Sequence, residues 1–169
     1  TANLTRYPAF WGSLMALQRP AGSVVSLQVG HSVAQNVNLA IRDSLLPNPE
    51  FQWAWLLSDD HVFAPDTLMR LLTHDVDIVV ALTLSRSNGQ PVIHKSAPDG
   101  RDRQIMWSEM PEGDSLIQVD GCGGSGMLVK REVFARLGYP WYRLGAIVPD
   151  SFCEDLDFCH RVKALGYSI

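Results

Sequence analysis

Charge is scarce in this sequence: 19% of its 169 residues are Asp, Glu, Lys or Arg, and the acids leave a net charge of −4. A groove that follows a nucleic-acid backbone needs a clustered basic surface, so this balance argues against nucleic acid as a partner. Long apolar runs are missing too. None approaches the roughly 18 residues of a membrane span, so no transmembrane segment is expected. Cysteine is limited to Cys122, Cys153 and Cys159, without zinc-ligand spacing. That fits buried or incidental thiols in a reducing, cytoplasmic setting, with a membrane-peripheral position left open, better than a disulfide framework. There is no internal repeat, low-complexity tract or visible signal peptide. What is present is 46% hydrophobic content, enough for one domain over residues 1–169 with a real core. The start at Thr1 and the stop at Tyr167-Ser168-Ile169, just inside what reads as a new strand, suggest a domain truncated at both termini.

Along the chain, Phe10 to Leu17 reads as a short helix and Ser23 to Val29 as a Val/Leu-rich strand stopped by Gly30. Ser32 offers an N-cap to a helix whose apolar positions Val33, Val37, Ala40, Ile41 and Leu45 recur at helical spacing. Trp53 to Leu57 is an aromatic strand. Pro65 opens a helix carrying Leu68, Leu71 and Leu72, and Asp77 to Leu84 is an apolar run of the kind covered on both faces. Alternating strands and helices favour a mainly parallel sheet. Ser85 to Asp114, rich in Pro, Gly and charge, reads as an excursion of loops and short strands. Short strands are expected at Ser115 to Val119 and Met127 to Val129, helices at Arg131 to Leu137 and Glu154 to Leu165, and a loop at Gly145 to Ser151.

Three segments could carry chemistry. The apolar strand ends on Ser58-Asp59-Asp60-His61, which puts carboxylates at the rim of a sheet, where open α/β folds hold ligands. Adjacent carboxylates resist joint ionisation unless something neutralises them, and Mg2+ or Mn2+ shared with a phosphate would do so; an ordinary Asp-rich turn is the plainer reading. Cys153-Glu154-Asp155-Leu156-Asp157 crowds acids into a first helical turn. There they complement the helix dipole and fit a capping box from Ser151, or they fix a carboxylate as a general base. Gly121-Cys122-Gly123-Gly124-Ser125-Gly126 satisfies G-x-G-x-x-G, but it runs into the strand-like Met127-Leu128-Val129-Lys130 rather than a helix. The dinucleotide reading therefore fails, leaving a plain connection or a loop that lets substrate approach the backbone. Trp53, Trp55 and Phe63 read as core. Trp141 and Tyr142 lie in a loop and are either packed or free to stack on a sugar ring. The five histidines show no ligand spacing with one another.

The order of these segments resembles the GT-A-fold glycosyltransferases of the family-2-like group. Leu57 to Leu68 is similar to that family's metal-site segment, Gly124 to Phe134 to the strand and helix before its acceptor loop, and Glu154 to Arg161 with Ala164 to Tyr167 to its E-D motif and following helix. Ser32 to Leu45 resembles a helix that usually carries Arg-Asn, here Val37-Asn38. The resemblance implies a GT-A-like three-layer α/β sandwich with a mainly parallel, Rossmann-like central sheet. It implies a nucleotide-diphosphate sugar as donor, an acceptor hydroxyl on a glycan, lipid or protein, and Mn2+ or Mg2+ as cofactor. Asp60 would bind the metal, with Asp59 helping by metal contact or by bonding the ribose. Asp155, with Glu154 beside it, would be the base of an inverting transfer, and Gly123, Gly124 and Ser125 would line the donor-sugar pocket. The metal would act as a Lewis acid for the leaving diphosphate. Ser58 stands where many members have a third acid. The family's first strand would precede Thr1, and a later metal-binding His would follow Ile169. Two other readings stand beside this one: a non-catalytic nucleotide- or sugar-binding domain of the same fold, and a nucleotidyltransferase, which usually has a glycine-rich basic phosphate loop near its start.

Overall fold

A computed structural model of the chain describes residues 8–113, 115–143 and 153–169. The architecture is two small antiparallel sheets of three strands each, with short helices around them. The first sheet has β1 (Trp53–Leu56), β2 (Ile78–Val80) and β6 (Met127–Lys130) in the order β1-β6-β2. The second has β3 (Ile93–Ser96), β4 (Asp102–Gln104) and β5 (Gly121–Cys122) in the order β4-β3-β5.

This corrects the expected fold class. β1 and β2 do not pair: β6 lies between them and runs antiparallel to both, with Leu56 and Val80 each opposite Met127. The second sheet is antiparallel throughout. A mainly parallel GT-A-like, Rossmann-like sandwich is therefore not what the chain forms. The Ser23 to Val29 strand is also absent. Among the described residues that segment has no ladder partner, and Val24, Val25, Leu27 and Val29 stay exposed. The Asp77 to Leu84 run pairs only over Ile78–Val80, and 115–119 forms no strand, 114 lying outside the described residues.

The helices follow their local signals more closely. α1 spans Pro8–Ala16 and α3 spans Thr67–Leu72. α2 (Val33–Ala40) begins at Ser32, whose hydroxyl accepts from the Gln35 N–H in a reciprocal capping box, and it continues as a π-helical turn over Ile41–Leu45. α4 (Arg131–Leu137) stops at Gly138, and α5 (Glu154–Ala164) runs to Leu165, followed by Gly166 in a left-handed conformation. The N-cap of α5 is Cys153, which makes no side-chain cap bond; Ser151 and the loop over 145–151 lie outside the described residues. Among the described residues no helix is long and apolar enough to cross a membrane.

The main core joins both sheets to α4 and α5. Phe158 packs between Phe134 and Tyr142, with ring centroids 5.7 and 4.8 Å away. Burying each such ring stabilises the fold by about 1.5–3 kcal/mol. Trp141 and Tyr142 are therefore core residues, 4% and 1% exposed, and are not available to stack on a sugar. The Trp141 ring N–H instead donates to the Phe134 carbonyl near the end of α4.

Buried Asn38 fixes this aromatic corner from α2. Its amide donates to the Tyr142 carbonyl at 2.7 Å, and its Oδ1 accepts from the Tyr142 N–H at 3.0 Å. Truncation strands both backbone groups away from water, so Asn38→Ala is expected to lower unfolding stability by about 2–3 kcal/mol. A urea titration checks this, and a loss well under 1 kcal/mol would mean that the corner is held by packing alone.

Candidate functional site

The antiparallel setting of β6 builds the site. β1 and β2 end at the rim where β6 begins, so the glycine-rich loop before β6 meets the acidic segment after β1. Gly126 is the pin. Its N–H donates to the Leu56 carbonyl at 2.7 Å, and its own carbonyl accepts from the Ala81 N–H and the Trp55 indole, each at 3.0 Å. It sits at φ 86°, and a Cβ there would press on Phe63 and Ala81, so both conformation and space favour glycine. Next to it the Ser125 hydroxyl accepts from the Ser58 N–H at 3.2 Å, tying the loop to the chain just before the acids. Gly123 N–H donates to the Val92 carbonyl, and Val92 N–H to the Thr83 carbonyl, which joins the second sheet to the same rim.

Between the two sheets lies a cleft of about 530 Å³, within the size range of small-ligand sites. Asp60, Gly123, Gly124, Ser125 and Asp155 all line it, together with Ser58, His61, Thr83, Arg86, His94 and Gln104. The acidic strand end, the glycine loop and the acidic helix start thus meet in one place. Asp59 is exposed and Glu154 half-buried; neither is part of the lining.

Asp155 is the most perturbed carboxyl of the cleft. Burial lifts its pKa from 3.8 to about 6, against a lowering hydrogen bond from the Gly124 backbone; the neighbouring Glu154 charge lifts it further. The approach of Gly124 is so close that a Cβ on it would fall on Asp155 Oδ1. A carboxyl tuned toward neutrality in a cleft is a candidate proton acceptor.

Asp60 is differently placed. Its Oδ2 lies 3.1 Å from Arg86 Nη2 and its Oδ1 2.9 Å from His61 Nδ1, though the latter approach lacks hydrogen-bond alignment. Among the described residues no three His, Cys, Asp or Glu side chains converge on a possible metal position. The donor set therefore does not fit a metal centre built from protein alone. One carboxylate remains, and any cation there would depend on substrate phosphate and water for its other ligands.

Arg86, Gln104, Thr83 and His94 also line the cleft, and no motif in the sequence marks them. Thr83 and Arg86 lie in irregular chain, and His94 and Gln104 in the short strands β3 and β4, where three or four residues are too few to mark which face meets the cleft. Among the described residues His94 Nδ1 is buried without a hydrogen-bond partner, and burial lowers the ring's pKa more than nearby Asp102 raises it, which favours the neutral ring. Buried polar atoms are normally satisfied, which makes this nitrogen a place for a ligand or water to bond. The cysteines carry no such chemistry. Cys122 and Cys159 are buried, free and 3.9 Å apart between sulfurs, and Cys153 is free and exposed.

No family model matches the sequence, and no curated protein matches it significantly. Among solved structures the chain is similar to A197 from STIV, with 19% identity and a TM-score of 0.57. The match covers 82% of this chain and 64% of that one. At this identity the likeness speaks for the fold alone. It also corrects the family resemblance read from the motifs: with antiparallel sheets, this structural neighbour and no matching family model, the chain is not assigned to the family-2-like GT-A glycosyltransferases.

Proposed function

We propose that the cleft moves a sugar from a nucleotide-diphosphate sugar to an acceptor hydroxyl on a glycan, lipid or protein. Asp155 is the general base, and Asp60 is the residue that would hold Mn2+ or Mg2+, which would supply Lewis-acid help to the leaving diphosphate. The observation that carries this reading is that Asp155, with a pKa raised to about 6, shares one cleft with Asp60, which offers a carboxylate at the sheet rim. A base with that pKa is ionised at pH 7 yet still basic enough to accept a proton as a hydroxyl attacks. In the transfer the acceptor oxygen bonds to the anomeric carbon as the bond to the diphosphate breaks, and Asp155 takes the hydroxyl proton. Attack from the side opposite the leaving group inverts the configuration. The Gly124 N–H fixes the carboxylate's direction, and burial, with a smaller contribution from the Glu154 charge, keeps its pKa raised. His94 and Gln104, on the wall formed by the second sheet, offer hydrogen bonds to sugar hydroxyls.

Calorimetric titration with a panel of nucleotide-diphosphate sugars, with and without Mn2+, tests the reading. Binding is expected to strengthen with Mn2+ and to lose that dependence in Asp60→Ala, with the fold unchanged because Asp60 touches no core packing. Equal Mn2+ dependence in the variant would reduce the acidic segment to a turn. Metal-dependent binding without transfer to any acceptor would favour a non-catalytic binding domain.

A further inference from the structure

We infer that the wall made by Thr83, His94 and Gln104 selects an uncharged sugar as the group to be transferred and rejects the matching hexuronic acid. This rests on the proposed use of the cleft. The wall presents neutral hydrogen-bonding groups. His94 in β3 and Gln104 in β4 stand directly opposite each other in the antiparallel register, so their side chains share the face that lines the cleft. Gln104 is held in place: its Nε2 donates to the Pro91 carbonyl at 2.8 Å, and its Oε1 accepts from the Asn88 amide at 3.4 Å. The amide keeps a further N–H and a further lone pair for a ligand. His94 adds a ring nitrogen, Nδ1, that is buried without a hydrogen-bond partner among the described residues. Thr83 adds a hydroxyl, and its backbone is pinned where its carbonyl accepts from the Val92 N–H at 2.9 Å.

The ionisable groups around this wall disfavour a second carboxylate. Asp155 lines the same cleft, and the Asp102 charge is near enough to act on the His94 ring. The arginine of the lining, Arg86, is paired with Asp60 at 3.1 Å. A hexuronate seated on the wall would therefore meet neutral groups in front of it and acids beside it. Taking an unpaired carboxylate out of water is expensive, and rejection of this kind sets specificity as much as attraction does. A hydroxymethyl group at the same carbon both donates and accepts, which suits Gln104 and His94 alike. The backbone brings the wall up to the base. The Val92 carbonyl accepts from the Gly123 N–H at 3.1 Å, one residue before Gly124, whose N–H is bonded to Asp155. A sugar whose anomeric carbon is attacked beside Asp155 rests on this wall.

The test is calorimetry on the full chain in Mn2+-containing buffer. The probes are UDP-glucose with UDP-glucuronate and GDP-mannose with GDP-mannuronate, with UDP and GDP as sugar-free references. For the base that the cleft accepts, the neutral sugar nucleotide is expected to bind about tenfold or more tightly than its uronate, since like charges placed together cost a complex heavily. His94→Ala and Gln104→Ala should each weaken the neutral sugar nucleotide by about three- to tenfold, the reach of one hydrogen bond, and leave the nucleoside diphosphate unchanged. Gln104→Lys should tighten the uronate, because an ammonium then stands on the wall to meet it. Damage to the fold alone would weaken the nucleoside diphosphate too and would give Gln104→Lys no such gain. A uronate that binds the parental protein as well as the neutral sugar, a neutral sugar indifferent to both alanine variants, or a nucleoside diphosphate weakened equally by them overturns the inference. Sugar nucleotides bound without preference between hexose and hexuronate remove this inference alone, whereas binding of none of the four removes the proposed function with it.

Discussion

Asp155→Asn is expected to lower sugar transfer by roughly two to four orders of magnitude, the usual reach of general-base catalysis, while leaving donor binding intact. The same change should make the protein more stable at pH 8. Asp155 titrates near 6 in the fold against 3.8 ordinarily, so the folded chain holds this proton more tightly than the unfolded one. Its contribution to stability is complete below the ordinary pKa and is lost as pH rises through about 6. Above that, the buried charge costs the fold about 1–3 kcal/mol, which Asn removes while still accepting from the Gly124 N–H. Urea titrations of both proteins at pH 5 and pH 8 read this, with the larger gain at pH 8. Rate and stability moving in opposite directions is the mark of a group placed for chemistry. An Asn variant that transfers sugar at the parental rate would leave the acidic cluster as a helix-start device.

Gly124→Ala is expected to reduce transfer by about a hundredfold, because the added methyl falls on Asp155 Oδ1 and must push the carboxylate aside. A displacement of about 1 Å at a reacting group costs that much even when chemistry and charge are kept. Stability should change little, since Gly124 is not among the positive-φ glycines and the carboxylate can swing into the cleft. The contrast with Asp60→Ala is informative. That variant should lose metal-dependent donor binding, whereas Gly124→Ala should keep it and lose turnover. Parental turnover in Gly124→Ala would mean that the position of Asp155 does not matter.

What the sequence made legible was local. Ser32 marks the start of α2, the apolar run marks β1, Gly138 and Gly166 mark helix ends, and the segments around Asp60, Gly124 and Asp155 do converge on one cleft. Strand direction was not legible. A run such as Ile78–Val80 says that both faces are covered, but nothing in it says that β6 will lie between β1 and β2 in the opposite sense. The segment Ser23 to Val29 has strand composition, yet composition cannot supply a pairing partner. Trp141 and Tyr142 show the converse. A loop aromatic looks free in sequence, and its burial depends on Asn38 reaching across from α2, a long-range contact that no local pattern encodes. Arg86 and His94 were hidden for the same reason, since one enters the cleft from an irregular turn and the other from the short strand β3, whose place beside the first sheet no local pattern encodes.

The central claim is that a carboxylate at Asp155 accepts the acceptor's proton in a sugar transfer made in this cleft. Its most direct test is the pH dependence of nucleoside-diphosphate release from a nucleotide-diphosphate sugar, measured with Mn2+ and an acceptor over a range spanning pH 5 to 8. The predicted rate falls as pH drops through about 6, where Asp155 takes up its proton, and that inflection vanishes in Asp155→Asn. A parental rate flat across this range, or an inflection that persists in the Asn variant, would contradict the account.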